Sequence, residues 1–197
     1  EEKGQDYGQG QYRFLPIMPG FFCFSDSEAL YIVDQHAAHE RLLYEKLKGN
    51  LECKSQRLLF PKQVQLPARE FEAVKGALSV LREIGIDAEV FGERTLLIRS
   101  LPDDLYTAPL EEILSDIAER FLEVYQGQGI DETLRDEAAK TIACHRSVRA
   151  NHSLSEPEMR TLIQELLQAK EPTRCPHGRP TMVKFSIEDL EKLFGRR

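Results

Sequence analysis

The chain has no apolar run close to the roughly 20 residues that a membrane-spanning helix needs, which excludes a helix that crosses a bilayer. Its first residues, Glu1-Glu2-Lys3-Gly4-Gln5-Asp6, lack the apolar core of a secretory signal and read as the end of a linker, as if the chain were one domain of something longer. Positive charge is in deficit: 26 Lys and Arg face 33 Asp and Glu, for a net charge of −7. That argues against a surface that grips nucleic acid over its whole extent, which needs clustered Lys and Arg, and leaves room for a local basic strip. Cysteines number four, Cys23, Cys53, Cys144 and Cys175. Without secretory features reduced thiols are expected, and these are candidate metal ligands rather than disulfide partners. Internal repeats and low-complexity tracts are absent. So is a regular alternation of strand and helix, which disfavours a doubly wound sheet.

What is present is an ordinary globular composition, 41% hydrophobic and 30% charged, in a length that supports one substantial core or two small ones. Aromatic and apolar segments at Tyr12–Ile17, Gly20–Phe24 and Leu30–Val33 read as strands, the last two as a hairpin around Ser25-Asp26-Ser27-Glu28. Leu42, Leu43 and Leu47 then carry a helix that Gly49-Asn50 stops. Gln56–Leu66 is extended, Ala68–Ile84 is one helix closed by Gly85, and Ala88–Arg99 is a second hairpin turning at Gly92. Helices follow at Leu110–Tyr125 and Leu134–Val148. A third, Ser155–Ala169, opens with the capping-box pair Ser155 and Glu158. Met182–Phe185 is the last strand, and Ser186 caps a short final helix. These elements predict an α+β fold. Residues 1–11 are expected to be a linker remnant, 12–66 and 133–197 one discontinuous subdomain, and 67–132 an inserted subdomain.

Chemistry concentrates in three places. Asp34-Gln35-His36-Ala37-Ala38-His39-Glu40-Arg41-Leu42-Leu43-Tyr44-Glu45 follows the Leu30–Val33 strand, so Asp34 falls where a helix N-cap is needed. His36 and Glu40 are four apart and share a helix face, which is metal-ligand spacing, whereas His39 lies off that face. Cys144-His145 is the second place. Cys175-Pro176-His177 is the third, where the proline stiffens a loop that offers a thiolate and an imidazole to one ion. Thiolate, imidazole and carboxylate suit zinc, and carboxylate-rich positions also admit manganese or magnesium. A metalloprotease helix is excluded: it spaces its histidines four apart with the glutamate next to the first, and here they are three apart with Glu40 after both.

Asp34 to Glu45 resembles the metal-binding motif D-Q-H-A-x-x-E-x-x-x-x-E of the MutL family of DNA mismatch-repair proteins, with every fixed position matched. Ala143-Cys144-His145 resembles its Ala-Cys-Arg motif and departs at the third position. Cys175-Pro176-His177-Gly178-Arg179-Pro180 matches C-P-H-G-R-P in full, and Phe194-Gly195-Arg196 fits the terminal F-x-R. The resemblance is to the C-terminal endonuclease and dimerisation domain of bacterial members that carry their own nuclease. It implies a metal-dependent nick in the nascent strand of duplex DNA. Asp34 and Glu40 would serve catalysis, with His36, Glu40, Cys144, Cys175 and His177 around the metal. Whether Asp34 would bind the ion, position it or orient the water is left open. Arg146, Arg179 and Arg196 become candidate phosphate contacts or supports of the site, along with Glu45. Arg149 is a further candidate for phosphate. Zinc would be structural or regulatory and manganese or magnesium catalytic. ATP would act only through an N-terminal domain absent from this chain. Gln56, Leu59 and Pro61 resemble the Q-x-x-L/I-x-P motif that engages the DNA sliding clamp, though a plain strand accounts for the same residues. The implied partners are a second copy of the chain, through the sheet and helices of the chain ends, together with the sliding clamp and the mismatch-recognition protein MutS. DNA would be bound only weakly in isolation. No membrane is implied, and the location is the bacterial cytoplasm, at the nucleoid during repair.

Overall fold

The computed structural model describes residues 12–49, 55–124, 130–147 and 154–196. Antiparallel sheets and helices are mixed without β-α-β alternation, so the fold is α+β as expected. The chain divides into two compact units, Glu1–Ala38 with Ala150–Arg197, and His39–Arg149. The expected linker at 1–11 lies outside the described residues.

In the first unit, β1 (Arg13–Met18), β2 (Phe21–Ser25), β3 (Ala29–Asp34) and β7 (Met182–Ser186) form one antiparallel sheet in the order β1-β2-β3-β7. Period-two alternation sorts its side chains. Phe22, Phe24, Tyr31 and Val33 are buried, and the Phe24 and Tyr31 rings stack at 4.6 Å. The register Leu15↔Cys23, Cys23↔Ile32, Ile32↔Val183 draws a row across all four strands on the opposite face. Helix α6 (Glu156–Leu167) packs near β1, with the Arg160 guanidinium over the Phe14 ring at 4.9 Å. The capping box is formed: the Ser155 N–H donates to Glu158 Oε2 at 2.7 Å. At the end of the unit Ser186 Oγ accepts from the Asp189 N–H at 3.1 Å and starts α7 (Ile187–Leu193). Helix α1 (Gln35–Lys48) leaves β3 without a loop.

In the second unit, β4 (Ser55–Gln65), β6 (Thr95–Pro102) and β5 (Asp87–Val90) make a three-stranded antiparallel sheet, order β4-β6-β5. Helices α2 (Ala68–Gly76), α3 (Leu78–Glu83), α4 (Leu110–Val124) and α5 (Ile130–Ser147) share one apolar core that includes Phe71, Val74, Leu81, Ile98, Ile117 and Phe121. The small face expected on α5 is there: Ala138, Ala139, Ile142 and Ala143 are all buried. The helix expected over 68–84 is instead two, because Ala77 leaves the helical region at φ −122, ψ 23. Gly76 just before it is the position of the segment where helix is least favoured.

Candidate metal centre

Asp34 closes β3 and caps α1. Its Oδ1 accepts the His36 N–H at 2.9 Å and the Ala37 N–H at 3.1 Å, two donors that a helix start leaves unpaired. The Asp34 N–H donates to the Thr181 carbonyl at 3.0 Å, and the Gln35 N–H to the Gly20 carbonyl at 3.0 Å. The start of α1 is therefore held on one side by the β1–β2 turn and on the other by the residue after Arg179-Pro180. Thr181 is fully buried, and its own N–H donates to the Thr173 carbonyl at 3.0 Å.

The Cys175–Pro180 loop is built as its sequence suggests. The Gly178 N–H donates back to the Cys175 carbonyl at 2.9 Å, which makes Cys175–Gly178 a β-turn with proline at its second position and glycine at its fourth, the residues a type I turn favours. Gly178 sits at φ +81. The Cys175 N–H donates to the Arg179 carbonyl at 2.8 Å, and Arg174 Nη1 to the Gly178 carbonyl at 2.8 Å. Cys175 and His177 thus stand on a fold-back rather than a loose strand.

Glu40, Cys175 and His177 each offer one ligand atom, and the three atoms all lie within 4.8 Å of one another. Glu40 is 0% exposed and Cys175 1%, while His177 is exposed. A carboxylate at that depth is held by partners rather than by water, and a bound cation would be one of them. A thiol and an imidazole beside it complete a set of sulfur, nitrogen and oxygen donors that fits a divalent metal. His36 is not in that group. Its Nδ1 lies 3.9 Å from Asp34 Oδ1, a charge-pair distance too long for a hydrogen bond. Asp34 and His36 are each about one-third exposed.

The family model that describes the MutL C-terminal dimerisation domain matches residues 17–154. The chain belongs to this family. The DNA mismatch repair protein MutL of Chloroherpeton thalassium is 37% identical over 191 residues, 95% of this chain and 30% of that protein. Those of Streptococcus mutans and of Clostridium botulinum strain Langeland are also 37% identical, over 94% and 89% of this chain and 29% and 27% of theirs. The chain thus spans under a third of the length of the curated relatives it matches. The first motif lies inside the span matched by the MutL dimerisation domain, and the Cys-Pro-His loop lies beyond it.

The other motif residues divide as follows. Cys144 is half-buried on α5 and stands outside the three-ligand group. His145 departs from the MutL pattern, and its Nε2 lies 2.6 Å from Asp116 Oδ2 on α4, so it ties two helices together. Glu45 pairs with buried Arg41 at 3.6 Å, one turn away on α1. It is the partner of an interior guanidinium rather than a member of the ligand group. His39 is half-buried on α1 and also outside the group. Arg179 and Arg196 are exposed. The Arg146 side chain and Arg149, like Cys53, lie outside the described residues. Gly20 and Thr181, which hold the start of α1, carry no chemistry of their own. The Pro19-Gly20 pair between two strands was the one local signal for the first of them.

Proposed function

We propose that this chain is the metal-dependent endonuclease and dimerisation domain of a DNA mismatch-repair protein, and that it nicks the nascent strand of duplex DNA. The observation that carries this reading is the buried Glu40 and Cys175 with His177 as one ligand set, beside the extra carboxylate of Asp34 at the cap of the same helix. A closed structural zinc site is complete with four ligands. Glu40, Cys175 and His177 with His36 would fill it, with Cys144 as an alternative ligand. Asp34 exceeds that need. Its Oδ1 is occupied by the cap, and its Oδ2 takes no part in those two bonds. Hydrolysis of a phosphodiester needs a water of lowered pKa and a cation facing the developing charge, and a manganese or magnesium ion supplies both when bound. Asp34 would direct that ion or the water, and Arg179 and Arg196 would meet phosphate.

Two further features support the same reading. Leu15, Cys23, Ile32 and Val183, with Phe21 and Met18, form an apolar face on the first unit's sheet, suited to a second copy of the chain. On β4, Leu59 is 87% exposed and Phe60 80%, between exposed Gln56 and Pro61, as a sliding-clamp ligand requires. With a net charge of −7 the domain would hold DNA weakly by itself, so an ATPase domain and the clamp would deliver the substrate.

The test is nicking of supercoiled plasmid by the full-length protein in manganese, with and without the clamp, together with zinc content. Asp34→Asn is expected to keep its zinc and its melting temperature while clamp-stimulated nicking falls by about 100-fold or more, the scale of a lost metal-directing group. If Asp34→Asn nicks as wild type, the site is not catalytic. If His36→Ala and Cys175→Ala lower the melting temperature while Asp34→Asn is silent in every assay, the metal only staples the Cys-Pro-His loop to α1.

A further inference from the structure

The β1–β2 turn approaches His36 more closely than nearly all residues with a side chain approach a neighbour. A Cβ built on Gly20 would lie 3.1 Å from His36 Cε1 and 3.2 Å from His36 Nδ1. Both are tighter than ordinary van der Waals contact. Gly20 also sits at φ +83, in the left-handed region that glycine enters at no steric cost. The approach is held from both ends, because the Gly20 carbonyl accepts the Gln35 N–H at 3.0 Å and the Asp34 cap fixes the next turn. The contact involves only the Nδ1–Cε1 edge of the ring; Nε2 does not come within 4 Å of the built Cβ. The Nδ1 side faces Asp34 Oδ1 at 3.9 Å.

We propose that Gly20 is the positioning residue for His36: by leaving room for the Nδ1–Cε1 edge against the β1–β2 turn, it sets Nε2 as the metal-binding nitrogen. This rests on the reading of His36 as a ligand. A ligating histidine commonly has its second nitrogen oriented by a carboxylate or a carbonyl, which fixes the tautomer and the ring plane. Here the backbone of a turn does the steering by close packing. Any side chain at residue 20 would rotate the ring or push the turn away from α1.

The test measures Co2+ binding to the full-length protein by titration and visible absorption, and the 15N resonances of His36 in the zinc form. Gly20→Ala is expected to weaken Co2+ binding by about 10-fold or more, the usual effect of losing a residue that orients a ligand, and to change the ligand-field bands. Gly20→Asn tolerates a positive φ and adds the same Cβ, so it is expected to lose as much affinity with less strain. Gly92 is the control for strain alone. It has φ +104 with nothing within 4 Å of a built Cβ, and Gly92→Ala is expected to bind Co2+ as wild type does. On a His36→Ala background, Gly20→Ala is expected to change nothing further, and the metal-shifted nitrogen of His36 is expected to be Nε2. The proposal is overturned if both Gly20 variants bind as wild type while His36→Ala binds weakly, if their effect persists without His36, or if the metal sits on Nδ1. If His36→Ala itself binds as wild type, the ligand reading of His36 fails as well, and the two failures are told apart by that variant.

Discussion

Burial pushes the Asp136 carboxyl up, yet hydrogen bonds from Lys140, Lys48 and Tyr44 outweigh it and hold the group down at about 2. Tyr44 Oη donates to Asp136 Oδ1 at 2.5 Å, Lys48 Nζ reaches the same oxygen at 2.7 Å, and Lys140 Nζ lies 2.8 Å from Oδ2. The cluster ties the C-terminal half of α1 to α5. Its contribution to stability is whole above the ordinary carboxyl value of 3.8 and is lost as pH falls from there through about 2, since protonation removes the charge that the lysines face. Asp136→Asn is expected to lower unfolding free energy by on the order of 1–2 kcal/mol at pH 7, with the gap to wild type closing between about pH 4 and pH 2. Denaturant melts of both proteins across that range check it. Nothing in the sequence marks Asp136, because its partners on α1 are some ninety positions away and it has no motif. The candidate ligands were legible for the opposite reason: metal chemistry calls for their types and spacings. Glu40, Cys175 and His177 each offer an atom within 4.8 Å of the others, whereas Gly20 lies close against His36, a contact between residues that sequence pattern alone does not bring together.

Elements were legible where a local signal carries its own mechanism. The hairpins at Ser25–Glu28 and Gly92, the capping box at Ser155 and the cap at Ser186 follow from turn and cap chemistry within a few residues. The break at Ala77 was not, since the apolar spacing of Phe71, Val74, Leu78 and Leu81 runs on through it. That spacing masks Gly76, the one local signal for the break, and Val80, Leu81 and Ile84 beyond it are buried in the second unit's core. The same limit applies to β4, read as a plain extended strand. Arg57 pairs with Ser100 and Lys62 with Ile98, so Leu58–Pro61 pass over a single residue of β6. Such a bulge on an edge strand re-aims side chains. Leu58 points into the core, and Leu59 and Phe60 stand out of it. The two readings of this segment therefore separate by substitution. Leu59→Ala and Phe60→Ala are expected to change stability by no more than about 0.5 kcal/mol. Affinity for the sliding clamp, measured by surface plasmon resonance, is expected to fall by about 10-fold or more. Leu58→Ala is expected to cost about 2–5 kcal/mol in unfolding free energy as a core truncation. Unchanged clamp affinity in the first two variants would return the segment to an ordinary strand.

At the scale of the whole molecule, the first unit's sheet has two unlike faces. Phe22, Phe24, Tyr31 and Val33 are buried. On the opposite face, the row Leu15↔Cys23↔Ile32↔Val183, extended by Leu30 and Phe185 of the neighbouring row, carries apolar side chains with Val183 still 46% exposed. A monomer that left this face in water would hold a contiguous apolar patch of the kind that marks an interface. Two copies related by a twofold axis would bury it against itself, which is one way to meet the family's description as a dimerisation domain. Val183 is the informative position because it lies on an edge strand and is half-open, so a charge there leaves each folded subunit intact. In a self-complementary interface, however, Val183→Glu places two carboxylates on the same buried face, and desolvation together with like-charge repulsion opposes association. The expected outcome is a dissociation constant raised by about 100-fold or more, seen as monomers in sedimentation velocity at concentrations where the wild type is dimeric, with an unaltered circular dichroism spectrum. Val183→Thr keeps the shape without the charge and is expected to remain a dimer. A Val183→Glu protein that still dimerises would move the interface off this sheet.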